Sequence, residues 1–307
     1  MNEGRARGHI RELDHLMCGF RDLEAATDTF QRMGFTVGER TDRPARGIAQ
    51  RRILLTPWHD GAANYLELLQ FIADPDSVMP IVAKFCAGSD AGAEGIGALI
   101  MHTPDAEAAH AHFTRLDTEQ PGHGWRPDPL VVADYDSPAQ DGTVLRQSFT
   151  NCILPELAPP FWVSLCQIRG FDYYLHPSGR SHANTARSLT AVLGVADDPR
   201  AAGRDMQALW GGRFHALDDS SVDVGPGQAR LLIHTAQSLA RAYPEIDTTS
   251  PRKAPCLAGV RITVTDMTKA AQCLEQGGIP YAVRGDGLTV APADAHGLLI
   301  RFKPHHR

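Results

Sequence analysis

The sequence predicts an α+β protein made of four copies of one βαβββ module, paired into two domains. Three observations predict it. A strand, Asp, helix pattern recurs four times in one register, short strand-like runs follow each helix, and a length of 307 residues suits two domains of roughly 150 residues better than one core. With 43% hydrophobic and 21% charged residues, the composition is that of an ordinary globular chain.

The first copy opens with the apolar strand LDHLMCGF and reaches Asp22. Leu23, Ala26, Phe30 and Met33 then recur at spacings of three, four and three, which places them on one helix face. Strand-like runs RRILLTP and NYLELLQFI follow. In the second copy Asp105, Phe113 and Leu116 stand where Asp22, Phe30 and Met33 stood, and TVLRQSF and PFWVSLCQI come after. The third copy supplies Asp198, Met206 and Leu209 with SVDVG and ARLLIHTA. The fourth supplies Asp266, Leu274 and Gly277 with YAVRG, LTVAP and GLLIRF. An Asp at each strand-to-helix turn accepts from otherwise unpaired first-turn N–H groups and complements the helix dipole, so the repeated acid is structural.

The modules span 9–72, 95–168, 188–236 and 256–303. FDYYLHPSGRSHAN (171–184) separates copies two and three, and 244–255 separates copies three and four. Residues 9–170 therefore form the first domain, 171–187 a linker, and 188–303 the second domain.

A formal net charge of −6 and a pI near 6.1, with no Lys/Arg stripe, argue against a nucleic-acid partner, which needs clustered cations. Met1 to Arg11 is polar, and no window approaches the ~20 apolar residues of a membrane span, so the expected location is cytoplasmic. The six cysteines (Cys18, Cys86, Cys152, Cys166, Cys256, Cys273) form no CxxC pair and read as thiols. His110 and His112, two apart on a predicted helix, share no face, and the His pair at 305–306 reads as a frayed terminus.

Taken in order, LDHL (13–16), YLELL (65–69), DGTVLR (141–146), PFWV (from Pro160) and HANTA (182–186, Ala183 replacing the Pro of HPNGA) resemble the glyoxalase-like branch of the vicinal-oxygen-chelate superfamily. The resemblance covers nearly the whole chain. It implies a metal site inside a paired-module barrel, with ligands from the first and last strand of each module. His15, seven residues before Asp22, and Glu67, amid Tyr65, Leu66, Leu68 and Leu69, fall at those positions in copy one. A carboxylate in that apolar run faces either solvent or a lined cavity. The matching positions elsewhere are Ala98, Ala191 and Gly259 on the first strands and Ser164 on the last strand of copy two, so half of a four-ligand set is missing and the second domain is expected to lack a metal.

A third ligand from the linker, His182, would complete a 2-His-1-carboxylate set with His15 and Glu67, suited to Fe(II), Mn(II) or Zn(II); the alternative is that His182 and Asn184 bond the backbone and close the crossover. His176 lies six residues before His182 in the same linker, and in the second domain His234 stands near the end of a copy-three strand. Arg146 could point inward and hold a carboxylate or enolate, with an outward direction equally open. Tyr65, Phe161 and Trp162 would line an apolar wall, and Tyr173 and Tyr174 would cover the mouth, unless they are plain core.

Three functions are compatible with these residues, each for a small-molecule substrate. The first is a metal-dependent enzyme of lyase or isomerase type, with Glu67 as ligand or base and Arg146 in support. The second is a non-haem Fe(II) dioxygenase, and the third a metal-free binding protein. Open module edges also suggest a homodimer.

Overall fold

The computed structural model describes residues 8–59, 61–73, 94–122, 124–139, 141–154, 161–244, 247–248 and 253–305. Cys86, Pro160 and His306 lie outside them. The first half runs β1 (Glu12–Gly19), α1 (Leu23–Arg32), β2 (Thr41–Arg43), β3 (Ile48–Leu54), β4 (Tyr65–Phe71), β5 (Gly95–His102), α2 (Ala106–Glu119), β6 (Val131–Pro138), β7 (Val144–Ile153) and β8 (Val163–Ile168). Two single-turn helices, α3 (Asp172–Leu175) and α4 (Pro177–Arg180), lead into the second half. That half runs β9 (Ala186–Val195), α5 (Pro199–Trp210), β10 (Arg213–Asp218), β11 (Ser221–Gly225), β12 (Arg230–His234), α6 (Ala236–Ala242), β13 (Cys256–Val264), α7 (Met267–Gln276), β14 (Ala282–Arg284), β15 (Gly287–Val290) and β16 (Leu299–Pro304).

Each module helix starts on its aspartate. Asp22 accepts from the N–H groups of Glu24 and Ala25, Asp105 from Ala108, Asp198 from Ala201 and Asp266 from Lys269. Because all four caps stand after a first strand, each helix leaves its strand in the same direction and the module repeats as a unit.

Each half folds into one eight-stranded sheet, in the orders β2-β3-β4-β1-β5-β8-β7-β6 and β10-β11-β12-β9-β13-β16-β15-β14. β1 runs parallel to β4 and antiparallel to β5 at the centre of the first sheet, and β9 stands in the same relation to β12 and β13 in the second. Two eight-stranded curled sheets with helices are the architecture of two glyoxalase-like domains.

Strand alternation then sorts the side chains. Leu16, Cys18, Leu66, Leu68, Leu99 and Leu165 point to one face, where they join Leu23, Phe30 and Phe113 of the helices and Val192, Val260 and Ile300 of the second sheet in a single core. His15, Met17, Tyr65, Glu67 and Ile100 point to the other face. This face curls until its two edges meet: the Arg43 guanidinium on β2 lies 3.6 Å from the ring centroid of Tyr135 on β6. In the second sheet the equivalent face is filled, because Leu239 of α6 and Tyr243 just beyond it pack against Ala191, Leu193, Leu232 and Leu299.

The halves are tied by polar contacts as well as by the shared core. Glu12 accepts from the backbone N–H of Gln228 (2.6 Å) and Ala229 (3.0 Å). His296 reaches Glu94 at 3.1 Å and Thr29 at 3.0 Å. Arg32 donates to the Gly277 carbonyl, at a point where any Cβ on Gly277 would collide with the Arg32 backbone. Glu12→Ala strips two inter-domain N–H groups of their acceptor, and the expected loss is about 2 kcal/mol. It would be read as a lower urea midpoint at unchanged slope. Among the described residues no helix is long and apolar enough to cross a membrane.

Candidate active site

The curled face of the first sheet encloses a pocket. Ile48, Leu69, Phe71, Val131, Phe149 and Ile153 make its walls, and a polar group lies on its floor. That floor is assembled by central strands, β1 contributing His15, β4 contributing Tyr65 and Glu67, and β3 contributing Gln50 and Arg52. Pairing sets the register, with His15 opposite Tyr65 across β1 and β4 and Arg52 opposite Glu67 across β3 and β4.

His15 is held from behind. A register shift between Leu13 and His15 against β5 falls at Asp14, the kind of irregularity that re-aims a side chain. Asp14 is fully buried; its Oδ1 lies 2.6 Å from His15 Nδ1 and its Oδ2 accepts from the Ala63 N–H at 3.1 Å. Since the carboxylate can only accept, Nδ1 donates to it, and Nε2 is the ring nitrogen turned to the pocket. The Tyr65 ring stacks on the imidazole at 4.2 Å and fixes its plane.

Glu67 faces that nitrogen, with Oε2 at 3.8 Å from Nε2. Its other oxygen is occupied. Arg52 Nη2 stands 3.5 Å from Oε1, and Gln50, its amide oriented by these neighbours, donates to Oε1 at 3.2 Å while accepting from Arg52 at 2.7 Å. Arg52 also donates to the Tyr135 hydroxyl at 2.9 Å. Burial raises the pKa values of the Tyr65 and Tyr174 phenols well above the ordinary one, against the opposing Arg52 charge, so they stay protonated. Cys166 lines the pocket too, but burial, followed by the Asp14 charge, raises its pKa well above the usual thiol value and rules out a thiolate nucleophile.

The residues expected from the sequence separate into two groups. His15, Glu67 and Tyr65 meet on the floor. His182 does not join them: its Nδ1 accepts from the Thr36 N–H at 3.0 Å and its Nε2 donates to the Leu54 carbonyl at 2.7 Å, leaving no lone pair for a metal. With Asn184, which bonds the Met33 carbonyl and the Ala186 N–H, it closes the crossover.

Arg146 is likewise corrected. Phe149, Asn151 and Ile153 line the pocket, so alternation turns residue 146 to the other face, where its side chain is 70% exposed and 3.8 Å from Asp134. Trp162 and Tyr173 are not lining residues. They pack in the apolar cluster beside the pocket, Tyr173 with its ring 5.6 Å from the Arg52 guanidinium carbon. Sequence reasoning missed Asp14, Gln50, Arg52 and Tyr135. For Gln50 and Arg52 a signal existed, namely two polar residues at period two with Ile48 in a strand-like run.

Burial lowers the His182 pKa to about 4, although the Leu54 carbonyl opposes the shift. A proton on Nδ1 would also confront the Thr36 N–H donor. The depressed value means the unfolded chain binds the extra proton first, so stability falls as the pH drops from about 6.5 toward 4. Thermal melts across that range should show the loss, and His182→Gln should flatten it.

Two protein donors are fewer than the three that catalytic zinc sites and facial triads supply. The Ser164 hydroxyl donates to the Cys152 carbonyl, Ala98 offers nothing, and among the described residues no three His, Cys, Asp or Glu side chains converge. Arg52 already supplies a cation to Glu67. The described side chains therefore do not fit a resident metal ion.

A family model described as a glyoxalase-like domain matches residues 13–210, more than half of the chain. No curated protein matches the sequence. Among solved structures, a hypothetical protein from Staphylococcus aureus is similar at TM-score 0.59 and 12% identity, over 95% of this chain and 99% of that one. A mutant of 4-hydroxymandelate synthase from Streptomyces coelicolor is similar at TM-score 0.50 and 11% identity, over 97% and 95%. A methylmalonyl-CoA epimerase variant from the same organism matches 51% of this chain and 96% of its own at TM-score 0.32 and 24% identity. At these identities the likeness is one of fold. By the family match and by its paired-module architecture, the chain belongs to the glyoxalase-like domain family.

Proposed function

We propose that this chain is an isomerase-type enzyme that moves a proton at the carbon next to a carbonyl of a small oxygenated substrate. One observation carries the reading: His15 Nε2 and Glu67 Oε2, each with its other polar atom tied down, face one another at 3.8 Å on the floor of an apolar pocket. His15 takes the C–H proton on Nε2, and the electron pair moves onto the carbonyl oxygen as an enolate. The resulting imidazolium lies between Asp14 and Glu67, both positioned to stabilise it. The Arg52 guanidinium is the cation beside the floor and is assigned to the oxyanion. Both basic atoms lie on one side of the pocket, which favours returning the proton to the same face.

The metal-dependent lyase or isomerase and the Fe(II) dioxygenase both need a third donor, which none of the described residues supplies. One experiment separates the readings. Chelator-dialysed protein is incubated in D2O with a panel of 2-hydroxy and 2-oxo carbonyl compounds, then again after addition of Zn²⁺, Mn²⁺ or anaerobic Fe²⁺. Deuterium incorporation in the dialysed protein is the expected result. Incorporation only with added metal would replace this reading by the metal-dependent one, and substrate-dependent oxygen uptake with Fe²⁺ by the dioxygenase. Saturable binding without exchange would leave a binding protein.

A further inference from the structure

Besides Arg52 on the floor, one further cation lines the cavity, Arg46, and another, Arg43, packs on the lining residue Tyr135. Arg52 is answered by Glu67. Arg46, in the turn after β2, also lines the pocket, with its guanidinium carbon 5.6 Å from the Phe149 ring centroid, and among the described residues no carboxylate pairs with it. Arg43 lies flat on Tyr135 at 3.6 Å, and its Nη2 is buried without a hydrogen-bond partner among the described residues. Glu67 is the one carboxylate among the lining residues, and it lies at the floor.

A buried guanidinium nitrogen with no acceptor is costly unless something arrives to accept from it. One guanidinium beside the lining Phe149 and a second on the face of the lining Tyr135 are arranged for a planar anion. Between rim and floor the lining is apolar: Ile48 is four residues from Arg52 along β3, ~13 Å of strand, with Leu69, Phe71, Val131 and Ile153 around it.

We propose that the pocket is built for an organic carboxylate with an apolar or aromatic body, its carboxylate held at the rim by Arg46 and Arg43 and its other end reaching His15 and Glu67. This assignment rests on the floor being the reacting end, and it names the substrate class of the same site. The carboxylate supplies the acceptor that the buried Arg43 nitrogen lacks, and the apolar segment spans the walls. A neutral molecule of the same shape fills the walls but leaves the rim unanswered.

The test uses the intact chain and two probes of one shape, 4-phenylbutyrate and 4-phenylbutanol, titrated calorimetrically at fixed salt. The acid is expected to bind at least tenfold more tightly than the alcohol. Arg46→Gln and Arg43→Gln should each shrink that ratio, Arg46→Lys should retain part of it, and added salt should weaken the acid alone. Equal affinity of the two probes, no binding of the acid, or a ratio unchanged in both Gln variants would overturn the proposal. Glu67→Gln separates it from the catalytic reading. If exchange in D2O survives Glu67→Gln and His15→Gln while the acid-to-alcohol ratio stands, the chemistry assigned to the floor fails and the carboxylate site does not.

Discussion

His15→Gln is expected to slow deuterium exchange by about 10²–10⁴-fold, the range a positioned general base contributes, with little change in the affinity for 4-phenylbutyrate. The reasoning is geometric. Nε2 is the basic atom left free on the imidazole, because Asp14 takes Nδ1 at 2.6 Å and Tyr65 stacks on the ring at 4.2 Å. Glutamine occupies similar space without a basic lone pair of that strength. Asp14→Asn should produce a related loss for a different reason: an amide N–H in place of the carboxylate favours the opposite tautomer, moving the proton to Nε2 and blocking the base. A structural role alone would lower the melting temperature of both variants without changing the pH profile of exchange. The acid–base role alters the acidic limb of that profile, and an unaltered rate in His15→Gln would end the proposal.

The fold was readable because its determinants are local and repeated. Asp22, Asp105, Asp198 and Asp266 each signal a helix start on their own, and the spacing from Leu23 to Met33 reports the buried face of α1. β2, β6 and β10 gave weaker signals: Val131–Pro138 alternates, but its exposed Val132 sits on the wrong parity for a simple apolar stripe. At the site, His15 and Glu67 were legible because a base and an acid inside apolar strands demand an explanation. His182 misled because a histidine in a family-like motif reads the same whether it binds a metal or two backbone groups. Which occurs depends on Thr36 and Leu54, 146 and 128 residues away in sequence. Arg146 was expected inside and Arg52 was missed for a similar reason. Each lies in a polar stretch of a strand, and only the parity set by Phe149 and Asn151 in one case, and by Ile48 and Gln50 in the other, decides which enters the cavity.

Arg52→Met is expected to destabilise the chain by about 3 kcal/mol, the lower end of the cost of removing one partner from a buried ion pair. The substitution preserves bulk against Tyr65 and Tyr173 but withdraws the cation from Glu67, whose side chain is 12% exposed, and the donor from the Tyr135 hydroxyl. Combining it with Glu67→Gln removes the stranded charge, so the double variant should be more stable than Arg52→Met alone, with a coupling near 2 kcal/mol in a denaturant cycle, inside the 0.5–3 kcal/mol range of contacting residues. The same variant probes the metal question from the protein's side. With the guanidinium gone, Oε1 joins Oε2 and His15 Nε2 as a donor in want of a cation, so Zn²⁺ should raise the melting temperature of Arg52→Met more than that of the parent chain. A parent chain that gains as much from Zn²⁺ would mean that Arg52 does not stand in for the ion. An Arg52→Met variant as stable as the parent would mean that water already screens Glu67, and the floor would no longer qualify as a site where a fixed guanidinium can stabilise an oxyanion.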